Sequence, residues 1–530
     1  MFSFIRDLSL NLTLNTFNMF KLLSFLNNNN LYSYLSLIVV GILSSFGFAP
    51  LFIYPLIILY IVTLVYIIEH NDALLPLFQK AWMLSLGHFI GNCYWICYSL
   101  VIELEKFWWM IPFALTVLPG FLAIYPALAA FIAKKFVHKG NVLGVIIGFP
   151  AIFVICEILR AKILTGFPWN LIGYSLAFND ELIQIASFGG IYILSFVSIL
   201  IGTILYYAII HNSLYKLLSA VLIMAAIYIF GYYRLPAFPE FTNKSVKIIQ
   251  ANIKQELKWD EQRKYQEFIK HIHLTKANAR VNDIIIWPES AVPYALNQFA
   301  DLKKFIINNL PANSYLLTGA IQVNMVQNEI LNLWTSLYIL STNNHLEHKI
   351  YNKTKLVPFG EFIPFRDILP IDKVTPGQID YSPGSENSYL ILDNLIILPL
   401  ICYEAIFPKH NLNPNVKYDL IINITNDGWF GDSFGPYHHF HMSRLRAVEL
   451  GLPLVRAANT GISTVIDAYG KIISFTKLNH EAVLESYIPK AIPSTFFAKN
   501  LDDNIILAIL FKLITIIFII SRRISKNIKI

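Results

Sequence analysis

The chain has 530 residues, of which 55% are hydrophobic and only 14% are charged. An ordinary soluble protein carries about 25% charged residues, so this composition excludes that class and requires much of the chain to face lipid. The formal net charge of +7 could suggest nucleic-acid binding, but many basic residues flank apolar runs or the C-terminus, as in 522–526. This placement is typical of membrane topology, and we expect no nucleic-acid partner.

Long apolar runs dominate the first half of the chain. A helix that crosses about 30 Å of hydrocarbon needs about 20 residues. Eight runs come close to this length, at about 33–49, 51–68, 81–101, 108–133, 142–160, 185–210, 215–233 and 504–521. The sequence therefore predicts an α-helical membrane bundle over 31–235, a C-terminal span at 503–522 and a basic tail at 523–530. Residues 1–30 are expected to form an interfacial or disordered lead-in.

Basic residues in the short loops predict how the bundle is oriented. Lys134, Lys135 and Lys139 follow the fourth run, and further basic residues lie between the sixth and seventh runs and after the eighth. If the crossings alternate, these loops share one side of the membrane, and an excess of Lys and Arg marks that side as cytoplasmic. The same alternation places 240–500 outside the cytoplasm.

The stretch 240–500 has a different pattern from the rest. Short β-like runs occur at Val246–Ile249, Asp283–Ile286, Ser314–Leu317, Leu395–Leu400 and Leu420–Ile424. Amphipathic helical patterns lie around Glu261–Arg280 and His438–Leu450. Alternation of strands and helices over about 240 residues predicts an α/β domain that is large enough to bury its own core.

One of the four cysteines differs from the others. Cys93, Cys97 and Cys156 lie in apolar runs, where cysteine usually serves as a small core hydrophobe. Cys402 lies in the polar half of the chain, directly after the apolar run 395–401. It is therefore a candidate nucleophile.

Two further reactive side chains also follow apolar runs. Glu289 ends the segment Ile284–Glu289, and Lys353 follows Tyr351 and Asn352. Alone, Glu289 could be a surface acid and Lys353 a solvated charge. Together with Cys402 they supply a thiol, a carboxylate to take its proton and a cation to hold an oxyanion, which is what nucleophilic acyl chemistry needs.

The order Glu289, Lys353, Cys402 resembles the nitrilase superfamily, whose triad consists of these residue types in this order. Further matching segments lie at 250–253, 423–430 and 456–461. The resemblance covers nearly all of 240–500. It implies an α-β-β-α sandwich, which periodicity alone predicts only as a mixed α/β fold.

A nitrilase-like domain between the seventh and eighth spans of a membrane bundle is similar to the apolipoprotein N-acyltransferase family. Phe48–Pro50, Gly166–Asn170 and Leu257–Trp259 match that family's pattern as well. The resemblance implies a bacterial inner-membrane enzyme without a cofactor, whose catalytic domain lies on the periplasmic side. Its reaction would move an acyl chain from a phospholipid, typically phosphatidylethanolamine, through a Cys402 thioester to the α-amine of a diacylglyceryl-cysteine on a lipoprotein. Both substrates are lipid-anchored, so such an enzyme must act at the membrane.

The resemblance also implies roles for individual residues. Cys402 would be the nucleophile, Glu289 the general base and Lys353 the cation that stabilises the oxyanion, with the amide of Tyr403 as a second donor. Two further acidic residues would orient the lysine and the cysteine loop, and a tryptophan would contact substrate. These are Glu361, Glu404 and Trp259.

Several alternatives remain open from the sequence. The histidines at 438, 439 and 441 are close together, but their spacing suits no standard zinc ligand set, and we expect no metal. Glu157 and Arg160 could line a cavity for substrate or form a structural ion pair. The alternative function is a membrane-tethered carbon-nitrogen hydrolase with the same triad. A catalytically inactive scaffold would be expected to lack a triad residue, and all three are present.

Overall fold

The computed structural model describes residues 21–135, 142–327, 329–343, 349–386, 388–500 and 502–527, the last of these without side chains after 519. The chain divides into two compact units. The membrane unit comprises residues 1–94, 112–234 and 501–530, and the α/β unit comprises residues 95–111 and 235–500. The α/β unit therefore includes a short segment that lies between two stretches of the membrane unit in sequence.

Apolar helices form the membrane unit. Their backbone hydrogen bonds are satisfied within each helix, which a chain in hydrocarbon requires. The helices are α1 Leu31–Ser44, α2 Tyr54–His70, α3 Leu74–Cys93, α6 Ile111–Lys134, α7 Val142–Lys162, α8 Ala186–Ile210, α9 Leu214–Arg234 and α15 Asp503–Asn527. The α/β unit contributes α4 Ile96–Val101 and α5 Leu104–Phe107 from its inserted segment.

Four helical stretches within the described residues are long and apolar enough to cross a membrane. They are Leu104–Lys134, Val142–Thr165, Leu182–Ile210 and Leu214–Arg234. Leu31–Gly47 and Tyr54–His70 are apolar but shorter. The structure thus confirms a helical membrane part, whereas the eight predicted spans are not confirmed.

The predicted run 81–101 is wrong as one continuous helix. Helix α3 ends at Cys93, and α4 begins at Ile96 as part of the α/β unit. The reason is tertiary packing, because the ring of Trp95 lies edge-on to Phe430, with 4.5 Å between the ring centroids. Hydropathy does not register this contact, since the residues around Trp95 are as apolar as the helix before them.

Glu157 and Arg160 are buried near the end of α7 and hold the loop that follows it. The carboxylate of Glu157 accepts a hydrogen bond from the amide of Ile172 at 2.8 Å. The guanidinium of Arg160 donates to the carbonyl oxygens of Phe167 and Trp169, at 3.1 and 2.9 Å. Each charge therefore satisfies main-chain groups of the loop after α7, and both also line a small cavity with Tyr60 and His88, so the two alternatives from the sequence stay open.

Two mixed sheets form the α/β unit. The first has seven strands in the order β13-β1-β2-β4-β5-β6, with β3 paired to β4, and the second has six strands in the order β12-β11-β10-β9-β8-β7. The strands are β1 Phe241–Gln250, β2 Ile284–Ile286, β3 Val292–Ala295, β4 Tyr315–Val326, β5 Glu329–Ser341, β6 Ile350–Asn352, β7 Leu390–Leu392, β8 Leu395–Ile401, β9 Leu420–Thr425, β10 Leu454–Ala458, β11 Thr464–Ile466, β12 Ile472–Phe475 and β13 Ala482–Pro489. The predicted strand positions are confirmed.

Helices cover the outer face of each sheet. They are α11 Lys264–Asn278, α12 Ala300–Asn308, α13 Gly435–Leu450 and α14 Phe496–Asn500, and the short helix α10 Gln255–Lys258 precedes them in the chain. Successive strand residues point to opposite faces, so Ile284 and Ile286 pack between the sheets while Ile285 packs against α11 and α12. Helix α13 packs on the second sheet. The layers are helix, sheet, sheet, helix, as the resemblance implies.

Parallel pairing brings several strand ends to one edge. Strands β1, β2 and β4 are parallel in the first sheet, and β8, β9 and β10 are parallel in the second. The carboxyl ends of parallel strands lie side by side, and residues just beyond them are favourable positions for catalytic groups. Glu289 and Cys402 lie just beyond β2 and β8, whereas Lys353 follows β6, which pairs antiparallel with β5.

Candidate active site

The three predicted triad residues each follow a strand. Glu289 comes three residues after β2, Lys353 directly follows β6, and Cys402 directly follows β8. Their exposed fractions are only 6%, 1% and 7%. Charged groups are rarely buried to this extent unless they are paired, so the arrangement needs partners for each of them.

Lys353 is the centre of the charge cluster. Its Nζ donates to Oε1 of Glu361 at 2.8 Å and lies 3.5 Å from Oε1 of Glu289. Burial by itself lowers the pKa of Lys353, but the two carboxylates outweigh it and the pKa is raised above its ordinary value. The structure therefore brings Glu289, Lys353 and Glu361 together, with the lysine held as an ammonium.

Glu361 positions the lysine from the loop that follows it. One carboxylate oxygen accepts from Lys353 and the other accepts from the amide of Val357 at 2.8 Å. Burial raises the pKa of Glu361, while Lys353 lowers it. The carboxylate thus fixes the ammonium against the main chain of its own loop.

The turn that carries Glu289 depends on a glycine that the sequence did not single out. A Cβ on Gly319 would lie 2.4 Å from the Ser290 nitrogen and 2.6 Å from the Glu289 Cα, far inside contact distance. The amide of Gly319 donates to the carbonyl of Pro288 at 3.2 Å. Only glycine lets β4 approach the Glu289 turn this closely.

Cys402 has an unusual backbone. Its φ is +51°, in the left-handed region that residues with a side chain rarely adopt. Burial raises the pKa of its thiol, as does Glu289, whereas Lys353 lowers it. The thiol is therefore protonated at rest and needs a base before it can attack, and Glu289 is the carboxylate placed in the same cluster.

Glu404 ties the cysteine loop to the lysine loop. It is fully buried, and one carboxylate oxygen accepts from the amide of Ile401 at 2.7 Å. The other accepts from the amide of Thr354 at 2.7 Å and from the Tyr351 hydroxyl at 2.9 Å. Glu404 therefore links the residues that flank Lys353 with the residue before Cys402.

A second buried network lies on the other side of Cys402, and sequence reasoning missed its role. The Nε2–H of His439 donates to the carbonyl oxygen of Cys402 at 3.0 Å, and Nδ1 lies 2.9 Å from Oδ1 of Asp427. Arg456 donates to the other Asp427 oxygen at 2.7 Å. Asp427 and Arg456 lie in segments that match the nitrilase pattern, whereas the sequence suggests His439 only as a possible metal ligand.

The other predicted residues lie near the triad with fewer described contacts. Tyr403 is buried beside Phe407, with 5.1 Å between the ring centroids, and its amide follows Cys402 directly. Trp259 is partly exposed at the end of α10. Within the part of the chain that the structure describes, no group of three or more His, Cys, Asp or Glu side chains is arranged to hold a metal.

Comparison with known proteins matches both parts of the chain. Residues 40–204 match the family model of the apolipoprotein N-acyltransferase N-terminal domain, and residues 245–491 match that of carbon-nitrogen hydrolase. The apolipoprotein N-acyltransferase of Rickettsia prowazekii (strain Madrid E) is 38% identical over 481 residues, which cover 89% of this chain and 96% of that protein. The chain belongs to the apolipoprotein N-acyltransferase family.

More distant members of the apolipoprotein N-acyltransferase family match over similar lengths. The protein of Rickettsia bellii (strain RML369-C) is 37% identical and covers 93% of this chain and 98% of its own length. That of Rhizobium rhizogenes (strain K84 / ATCC BAA-868) is 35% identical and covers 81% of this chain and 82% of its own. Membership in this acyltransferase family explains why apolar helices and a carbon-nitrogen hydrolase unit occur in one chain.

Proposed function

We propose that this chain transfers an acyl chain from a membrane phospholipid, through a thioester on Cys402, to the α-amine of the diacylglyceryl-modified N-terminal cysteine of lipoproteins. The observation that carries the proposal is the buried contact of Lys353 with both Glu289 and Glu361 beside a protonated thiol. The relatives are named apolipoprotein N-acyltransferase, and apolar helices keep the enzyme in the plane of its lipid-anchored substrates.

The first half-reaction forms the thioester. Glu289 takes the proton of the Cys402 thiol, and the thiolate attacks the ester carbonyl carbon of the phospholipid. The negative charge that develops on the carbonyl oxygen is stabilised by the Lys353 ammonium and the amide N–H of Tyr403. The tetrahedral intermediate collapses, the C–O bond to the glycerol oxygen breaks, and that oxygen takes the proton from Glu289. A lysophospholipid leaves.

The second half-reaction uses the same groups in reverse. The α-amine of the lipoprotein attacks the thioester carbonyl, Glu289 takes the amine proton, and the C–S bond breaks. The Cys402 thiolate that leaves takes this proton from Glu289, which restores the resting enzyme and releases the amide product. A buried site favours this outcome over hydrolysis, because water must be kept from the thioester until the amine arrives. Glu361 and Glu404 act as positioning residues for the lysine and cysteine loops, and Trp259 provides a partly exposed surface for substrate.

The membrane arrangement is part of the proposal. We place the bundle at 31–235 after a lead-in at 1–30, the catalytic domain at 240–500 on the periplasmic side of the inner membrane, and a last span at 503–522 before a cytoplasmic tail at 523–530. Helices α1, α2, α3 and α15 would then complete eight crossings with the four long apolar stretches. Phosphatidylethanolamine is the proposed donor.

A carbon-nitrogen hydrolase activity is the second candidate, because residues 245–491 match the hydrolase model. Purified enzyme is incubated with phosphatidylethanolamine labelled in its acyl chains and with a peptide that begins with diacylglyceryl-cysteine. We expect labelled N-acyl peptide and no release of fatty acid beyond that of a Cys402→Ala control. Labelled free fatty acid in place of the N-acyl peptide would show that water, not the amine, is the acceptor.

A further inference from the structure

A second buried ammonium, that of Lys258, belongs to the same charge cluster. The side chain is 4% exposed at the end of α10, and its Nζ donates to the main-chain carbonyl oxygen of Glu289 at 2.8 Å. Among the described residues it forms no ion pair with a carboxylate, and its contact with Glu289 is through the main chain. A buried ammonium without a direct carboxylate partner is costly, so its retention at this position calls for an explanation.

The segment that carries Lys258 is fixed to the second sheet. Asn459 donates to the carbonyl of Ile253 at 2.7 Å and accepts from the amide of Ile253 at 2.9 Å. Asn426 donates to the side-chain oxygen of Gln255 at 2.7 Å. Asn426 and Asn459 follow β9 and β10 directly, so α10 is held at the strand ends of one sheet while Lys258 holds the Glu289 turn of the other.

The charged groups that face Lys258 come mainly from the active site. Glu289 and Cys402 interact with it from the ends of β2 and β8, and His271 faces it from α11. Burial, and then Lys258, lower the pKa of His271 to about 3, so the imidazole carries no charge. Burial lowers the pKa of Lys258 to about 8, despite the opposing effects of Glu289 and Cys402.

A count of charge shows what Lys258 adds. The cluster holds two carboxylates, Glu289 and Glu361, but Lys353 alone supplies only one positive charge. When the Lys258 ammonium and a protonated Cys402 thiol are included, the five groups together have no net charge. When the thiol proton moves to Glu289, the S–H bond breaks, the O–H bond forms, and the net charge of the cluster does not change.

We propose that Lys258 is a positioning residue of the acylation step, which fixes the Glu289 turn through its carbonyl oxygen and supplies the positive charge that balances the second carboxylate. The inference rests on the proposed function, because it assigns Glu289 the task of taking the Cys402 proton. Without the Lys258 charge, the Cys402 thiolate would form beside the Glu361 carboxylate. Lys353 would then be the single cation of the cluster that balances these two negative charges. Lys258 acts through Glu289 and does not contact the substrate.

Titration of Lys258 gives a readout that a purely structural lysine lacks. Its ammonium is charged below about pH 8 and becomes neutral above it, so the rate of Cys402 acylation should fall as the pH rises through this value. In Lys258→Arg the guanidinium keeps its charge throughout this range, and the fall should disappear. In Lys258→Met the rate should be lower at every pH, by about tenfold to a hundredfold, with no inflection near pH 8.

The experiment measures two rates in the full-length enzyme between pH 6 and 9.5. Intact-mass analysis follows acyl loading from phosphatidylethanolamine, and peptide mapping follows iodoacetamide labelling of Cys402, which needs no lipid substrate. Lys247→Met is the matched control, because Lys247 is equally buried in the same unit but pairs with Glu485 on β13, away from the site. Both rates in the control should follow the wild type.

The outcomes separate this inference from the proposed function. If the fall in rate above about pH 8 disappears in Lys258→Arg, in either of the two measured rates, the result supports the inference. If Lys258→Arg shows the same fall as the wild type, the inference is wrong. If Lys258→Met does not fold, as thermal unfolding will show, the Arg variant decides alone. The pH dependence of Cys402 labelling in the wild type could depend on Lys258 while the enzyme never accepts an acyl chain. In that case the positioning role of Lys258 is supported and the acyltransferase mechanism is wrong.

Discussion

The imidazole Nε2 of His439 lies 3.0 Å from the carbonyl oxygen of Cys402, the residue whose backbone is left-handed. A non-glycine residue in this conformation costs about 1–3 kcal/mol and persists only where surrounding contacts impose it. The hydrogen bond from His439 is such a contact, and Asp427 and Arg456 in turn hold the imidazole. The network therefore fixes the direction in which the thiol points.

Replacement of His439 tests this positioning. His439→Ala leaves the buried Cys402 carbonyl without its donor, which costs about 1–3 kcal/mol. We expect a lower unfolding temperature and a loss of acyl transfer of about a hundredfold, because the strained turn is free to relax. His441→Ala on the same helix is the control and should retain nearly normal activity. A fully active His439→Ala enzyme would falsify the assignment.

Glu404 gives a prediction about pH. Burial alone raises its pKa, but hydrogen bonds from His410 and from the amides of Ile401 and Thr354 outweigh burial, and the pKa is lowered. When the pKa of a carboxyl is lower in the folded protein, its ionised form stabilises the fold at pH values above its unfolded pKa, about 4.3. This contribution is lost as the pH falls through the folded pKa.

We therefore expect Glu404→Gln to unfold at a lower temperature than the wild type at pH 7. The substitution removes the charge from hydrogen bonds that contribute about 1.5–3 kcal/mol each when one partner is charged. The difference between the two proteins should begin to narrow below the unfolded pKa of about 4.3 and should go on narrowing as the pH falls through the lower folded pKa. Thermal unfolding of both proteins between pH 3.5 and 7 measures this difference in unfolding temperature. Glu261→Gln, at an exposed surface pair with Lys264, should show no such dependence. A constant gap would show that Glu404 acts by shape alone.

The strand-end positions of two residues of the proposed triad could be predicted from sequence, because each of them follows an apolar strand. Strand ends are marked by a change from hydrophobic to polar residues, and such changes locate Glu289 and Cys402, whereas Lys353 follows the short strand β6 and is indicated by the family resemblance. The contacts of His439 and Lys258 could not be predicted in this way. His439 lies 37 positions from Cys402 and Lys258 lies 31 positions from Glu289, and both bond to main-chain oxygens, which no side-chain pattern reveals.

The membrane part was less predictable for a related reason. Apolar runs show which residues leave water, but they do not distinguish burial in lipid from burial in protein. Trp95 and the residues after it looked like the end of a span, yet they belong to the α/β unit, where Trp95 packs against Phe430. Similarly, the sequence located only the first three residues of the long strand β4, since Thr318 and Gly319 interrupt its apolar pattern.

Replacement of Lys353 by arginine keeps the charge but changes its shape. A planar guanidinium cannot occupy the position of the compact ammonium between Glu289 and Glu361. If this cation holds the oxyanion, displaced donors should lower the rate by about 10² to 10³. Lys355→Arg, on the same loop, should have little effect on single-turnover acyl transfer. Normal turnover in Lys353→Arg would remove the lysine from the mechanism.

The orientation in the membrane can be tested with reporter fusions. Basic residues after the fourth and eighth apolar runs predict that 134–139 and 522–530 lie in the cytoplasm and that 240–500 lies outside it. A phosphatase that folds only outside the cytoplasm should be active when fused after residue 380 and inactive when fused after 137. The opposite pattern would reverse the topology and separate the active site from the proposed periplasmic substrates.

The last prediction is that Cys402 carries a lipid-derived acyl group when phospholipid is supplied without a lipoprotein acceptor. Two steps let a single site accept the donor first and the amine second, so the thioester should accumulate until an amine arrives. Intact-mass analysis should show one added acyl chain that neutral hydroxylamine removes, as it does thioesters. Because burial keeps the thiol protonated at rest and Glu289 is the proposed proton acceptor, Glu289→Gln should form the adduct very slowly.

Controls for the adduct come from the other cysteines. Cys402→Ala should abolish the adduct, whereas Cys156→Ala should leave it unchanged, since Cys156 is buried within α7 in the membrane unit. The two variants remove the same atom from buried positions, so a difference between them reflects the site and not a general loss of thiols. If the adduct persists in Cys402→Ala, or that variant turns over at the normal rate, the transfer does not pass through Cys402 and the nucleophile has been assigned to the wrong residue.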